Sequence, residues 1–163
     1  MSVLVIVLGV AAPSLSRFFR GRTLDSESKR FLALTRYGQS RAVSEGVPVV
    51  LWIDAKERSY GLQADSSYVE QDTKTLEYKM DQDLQVEVEQ SNAARKQATI
   101  WKGGGGLRTT LPKIRFNPDG FISESSPELV IFRQKDDGEV WLVPNRSHLN
   151  YEIQTNHLQS LRR

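Results

Sequence analysis

Residues 39–54 read QSRAVSEGVPVVLWID, and within this stretch the chain changes its period. Up to Glu45 nothing interrupts a helix. Gly46 suits the C′ position, where the backbone turns left-handed and a side chain would be strained. Pro48 then forbids continuation, because it lacks an N–H and its ring clashes with the preceding turn. From Pro48 to Asp54 the residues are β-branched, aromatic or leucine and read as a strand. The stretch therefore ends one long helix and begins a β-rich unit. It divides the chain into residues 1–46, an apolar and then amphipathic helix, and residues 47–163, a globular head. The fold class is α+β, with the N-terminal helix packed on an antiparallel two-sheet head.

Upstream, Thr23 to Glu45 has strong helical character. Thr23 is placed as an N-cap, with Asp25 and Glu27 in the first turn, where the dipole favours acids. Asp25 and Lys29 are four apart and pair. Leu24, Phe31, Leu34, Gly38 and Ala42 recur at helical spacing and form an apolar-to-small stripe that attaches the helix to the head. Arg30, Arg36 and Arg41 are placed mostly on other faces. Further upstream, Val3 to Ala12 reads VLVIVLGVAA. As a helix this run covers only about half of a ~30 Å hydrocarbon core. It lacks the basic segment that precedes the apolar part of a signal peptide. Pro13 and Gly21 are expected to kink or soften the helix. Arg17, Arg20 and Arg22 follow the apolar run, as at a membrane surface. A buried core helix or strand is the plainer alternative for the run.

Downstream the period is two. Strands are expected at 48–54, 59–63, 75–79, 84–89, 98–102, 114–116, 129–134, 139–143 and 151–154. Within 84–89, Leu84, Val86 and Val88 share one face while Glu87 and Glu89 share the solvent side. Asn117-Pro118-Asp119-Gly120 is a turn signature. Lys135 to Gly138 closes a hairpin. Gly103 to Gly106 is a mobile turn, since it lacks the lysine and serine of a phosphate loop.

The composition excludes several chemistries. The 163 residues contain no cysteine and two histidines, His148 and His157, so thiol nucleophiles, thiolate zinc sites and histidine metal clusters have no basis. Lys and Arg number 22 against 20 Asp and Glu, which gives no general attraction to nucleic acid. Asp65, Ser66 and Asp72 offer oxygen atoms, but without the spacing of a calcium loop they read as solvated. His148 beside Ser147 lacks a nucleophile elbow and reads as surface. Trp52, Trp101 and Trp141 lie on expected strands and read as packing residues. No catalytic, metal-binding or cofactor-binding residue is assigned, and no small-molecule substrate is expected.

The order of these features resembles the type IV pilin-like minor pseudopilins of the GspH/FimT group. The match rests on residues 39–54, on Phe116-Asn117-Pro118-Asp119-Gly120, and on Val5 to Pro13 as the later part of an N-terminal assembly helix. The resemblance implies a structural, non-enzymatic subunit of a type II secretion pseudopilus or a type IV pilus-like filament. Its helix would sit in the bacterial inner membrane before assembly, as a single pass with the head in the periplasm. Other pseudopilins would be its partners. Leu4, Val7, Leu8, Val10 and Pro13 would then serve membrane insertion and helix–helix assembly. Members of the group begin with a basic leader, a cleavage-site glycine, a phenylalanine and an early glutamate. An in-frame upstream stretch ending in a Gly-Phe-Thr-Leu-x-Glu-like sequence is therefore expected. A second reading, a DNA-binding minor pilin, would use Lys102, Arg108, Arg162 and Arg163 on phosphate. A third is a soluble β-domain enzyme with a buried first helix.

Overall fold

The structure, a computed structural model, describes residues 2–91, 111–135 and 138–154, with side chains described from Thr23 onward. The expected strand at 98–102 and the glycine run at 103–106 lie outside the described residues.

A single helix, α1, runs from Ser2 to Glu45. It continues unbroken through Pro13 and Gly21. Thr23 is consequently not an N-cap: it lies inside the helix, where its carbonyl accepts a bond from the Ser26 hydroxyl. The local start signal at Thr23 is overridden because helical residues on both sides already supply its backbone partners. The far end agrees closely with the sequence. Gly46 donates to the Ala42 carbonyl at 3.0 Å and has φ +68°, the left-handed value that glycine tolerates. Among the described residues no helix is both long and apolar enough to cross a membrane.

Among the described residues eight strands come after it: β1 (Val49–Asp54), β2 (Ser59–Ala64), β3 (Leu76–Lys79), β4 (Leu84–Glu89), β5 (Lys113–Phe116), β6 (Leu129–Gln134), β7 (Gly138–Pro144) and β8 (Tyr151–Gln154). They form two four-stranded antiparallel sheets, ordered β3-β2-β1-β5 and β4-β6-β7-β8. The register puts alternate residues into one core. In the first sheet Val49, Leu51 and Ile53 face inward with Tyr60, Leu62, Ile114 and Phe116. In the second, Leu84, Val86, Val130, Phe132 and Leu142 do the same. Helix α1 joins this core through Leu24, Phe31, Leu34 and Ala42. The outward side of β4 carries Glu87, which pairs with Arg133 at 2.9 Å.

Turn chemistry connects the strands. The Asp54 carboxylate accepts the N–H groups of Lys56 and Glu57, closing the β1–β2 turn. After β5, Gly120 donates to the Asn117 carbonyl and has φ +86°, so this turn needs its glycine.

Candidate functional site

Two regions of the head use more polar chemistry than a simple core requires. Both lie on or beside α1.

The first is the seat of the helix. Leu24, Phe31, Leu34, Gly38 and Ala42 are all buried. Phe31 lies between the two sheets. Its ring meets Tyr60 of β2 and Phe132 of β6 edge-on, each at 5.2 Å between centroids, a favoured aromatic geometry. Gly38 is a point of close approach, for a Cβ there would stand 2.8 Å from the Phe116 ring and 2.9 Å from Leu62 Cδ1. One helical turn before Phe31, the buried Glu27 accepts a 2.6 Å hydrogen bond from the Tyr60 hydroxyl and pairs with Arg30 at 3.2 Å. Burial, and then the neighbouring Glu27 carboxylate, push the Tyr60 hydroxyl well above the ordinary tyrosine range. Arg30 in turn lies over the Tyr78 ring.

The second region is at the C-terminal end of α1. Arg41, expected on another face of the helix, is buried instead, with 4% of its side chain exposed. The expectation failed because a face bearing cations is solvated only if nothing folds over it. Here the connection between β2 and β3 does. Arg41 donates to Asp72 and to Glu45, and also to the Lys74 carbonyl. Glu45 also accepts from Lys74 Nζ at 2.6 Å. Asp72 accepts from the backbone of Ala64 and Lys74. Burial alone would raise the Asp72 carboxyl. The Arg41 guanidinium and the two backbone donors outweigh it and hold the carboxyl down at about 2. The Lys74 and Arg41 cations likewise hold Glu45 below the usual carboxylate range.

Asp65, at the start of the same connection, is buried and paired with Arg115 of β5. Its backbone carbonyl accepts from Tyr68 and Val69, and its carboxylate from the Ser67 N–H. Asp65 and Asp72 are thus not solvated oxygens. Each is committed to a guanidinium and to backbone donors, so the pair fixes both ends of the β2–β3 loop. Sequence spacing carried no signal for this, because Arg41–Asp72 and Asp65–Arg115 are contacts between distant segments.

Of the other assigned residues, Leu4, Val7, Leu8, Val10 and Pro13 lie on the part of α1 described by its backbone alone. Lys102, Arg108, Arg162 and Arg163 lie outside the described residues. His148 is exposed, at φ +52°, on the rim of a shallow cleft of about 320 Å³ lined also by Ser91, Ser123 and Ser126. Those serines are engaged within the protein. Ser126 accepts from the Arg115 N–H, Ser91 donates to the Glu124 carbonyl, and Ser123 pairs with Ser125. Trp52 is buried on the outward side of β1, its ring so close over Gly61 that no Cβ fits there. Among the described residues no group of three or more acidic or histidine side chains is placed to hold a metal ion.

This architecture has known relatives. The minor pseudopilin EpsH of the Vibrio cholerae type 2 secretion system superposes with a TM-score of 0.55 at 10% identity, covering 83% of this chain and 98% of EpsH. The type IV minor pilin FimU of Pseudomonas aeruginosa superposes with a TM-score of 0.54 at 14% identity, covering 85% of this chain and 92% of FimU. At these identities the likeness is one of fold. No curated protein matches the sequence. The family described as Type II transport protein GspH matches residues 27–147, from the buried glutamate of the helix seat to the loop that precedes β8. With the helix, both sheets and this match in agreement, the chain belongs to the GspH family, the type IV pilin-like minor pseudopilins.

Proposed function

We propose that this protein is a structural subunit of a type II secretion pseudopilus, and that its role is assembly without a catalytic step. The observation that carries the reading is the division of labour along α1. From Leu24 to Ala42 the helix supplies core residues to the head. N-terminal of Thr23 it continues to Ser2, about 30 Å at 1.5 Å per residue. That segment includes the run Val3 to Ala12. A helix rigidly seated at one end and apolar at the other suits a subunit that is held in the inner membrane and then packs its helix against those of its neighbours. Leu4, Val7, Leu8 and Val10 are the residues proposed for those contacts, with Pro13 as a point of local bending. The head would face the periplasm.

Among the described arginines, Arg41, Arg115 and Arg133 are each paired with carboxylates; Lys102, Arg108, Arg162 and Arg163, on which the nucleic-acid alternative rests, lie outside the described residues.

The test is genetic and biochemical. In a strain lacking the gene, secretion of the system's exported proteins should fall, and a full-length copy should restore it. In vivo cross-linking should join the protein to other pilin-like subunits. Normal secretion in the deletion strain would refute the reading.

A further inference from the structure

The loop between β2 and β3 is fixed at both ends by partly buried ion pairs. Asp65 is held by Arg115 and caps the turn over Ser67 to Val69. Asp72 is held by Arg41 and by two backbone donors. Between these anchors stands Tyr68, which is 61% exposed, more than any other large hydrophobic side chain described. The Arg115 guanidinium lies 5.9 Å from its ring centroid, and that guanidinium is itself fixed by Asp65.

We infer that Tyr68 is a pre-positioned anchor for contact with the head of a neighbouring pseudopilin. This rests on the functional reading above and names the contact. An exposed aromatic ring on a floppy loop loses rotamer and backbone freedom when it binds. A ring on a pinned loop, steadied by a stacked guanidinium, has already lost much of it, and tyrosine and arginine are the residue types that dominate protein contact energies. The location selects a protein partner over lipid. Asp65 donates its N–H to the Pro48 carbonyl, so the loop adjoins the end of α1. Ala12, where the apolar run ends, is about 50 Å back along that helix from Glu45. A bilayer holding the apolar run is therefore out of reach of Tyr68. In the proposed filament the partner left within its reach is the head of a neighbouring subunit. The chemistry asked of the partner is an apolar socket for the ring with a hydrogen-bond acceptor for its hydroxyl. A lysine or arginine at the socket's rim would face the exposed Glu70.

The experiment uses the full chain in its secreting host, in place of the native gene. A photoreactive phenylalanine analogue at position 68 is irradiated in cells, and its adducts are identified by mass spectrometry. We expect an adduct to a pilin-like subunit. We also expect Tyr68→Ala to lower secretion at least fivefold with an unchanged melting midpoint, because Asp65 and Asp72 still pin the loop. Failure to find a pilin-like adduct, or secretion by Tyr68→Ala at the wild-type level, overturns the inference. If the wild-type copy itself fails to restore secretion, it is the functional reading that falls.

Discussion

Gly38 sits where the helix comes closest to the sheet, and its missing side chain is what permits the approach. Replacing it with alanine should improve helix propensity by nearly 1 kcal/mol. The new methyl would meet Phe116 and Leu62 below 3 Å, however, and overpacking of this kind costs about 1–3 kcal/mol. Gly38→Ala is therefore expected to destabilise the protein, read as a lower urea midpoint, and a raised midpoint would contradict the packing. Asp72 gives a second expectation. Its folded value, about 2, is below an unfolded value of roughly 3.9. The stabilisation is thus complete above about pH 5 and is lost as pH falls through 4 toward 2, an effect on the order of 2 kcal/mol. Asp72→Asn should be less stable than wild type near neutrality, and the gap should close in acid. A gap independent of pH would show that the ion pair does not contribute. The two residues differ in how far sequence could reveal them. Gly38 stood out because it fell on an apolar stripe at helical spacing. Arg41 and Asp72 did not, since a charged residue on a helix reads the same whether water or a distant loop covers it.

At the level of elements, periodicity carried most of the information. The junction at Gly46 and Pro48 ended the helix where the structure ends it, and the strands at 84–89, 129–134 and 151–154 lie where alternation placed them. The helix was expected over its full length, but Thr23 was misread as a cap within it, because a capping residue is defined by its neighbours on both sides and those before Thr23 are helical too. Local pairing was legible in the hairpin at Lys135 to Gly138, which joins β6 to β7, but pairing between distant strands was not. That β5 returns to lie beside β1, and β6 beside β4, depends on which apolar faces meet in three dimensions. The element most dependent on one side chain is α1, through Phe31 and its two edge-on aromatic neighbours. Phe31→Ala should cost about 3–5 kcal/mol, as for large core aromatics. Hydrogen exchange should then show the amides of residues 24–45 losing protection before those of β1. Equal loss in both would mean that the helix is not the weaker partner.

The whole head shares one apolar cluster that draws on the helix and both sheets. Among the described residues neither sheet has a separate core to fall back on, so cooperative unfolding is expected. Circular dichroism of the helix and fluorescence of Trp52 and Trp141, which lie in different sheets, should trace coincident denaturation curves. Separate midpoints would divide the head into independent units. The helix also has a mechanical consequence. It lies lengthwise on its seat, from Leu24 to the Arg41 lock, and leads out at its N-terminal end. A pull along its axis from that end loads the seat in shear. Phe31, Gly38 and the ionic lock then share the tension together, whereas a sideways pull would open them one after another. Force along the axis is thus borne by the full length of the joint, and the head moves with its helix as one rigid load.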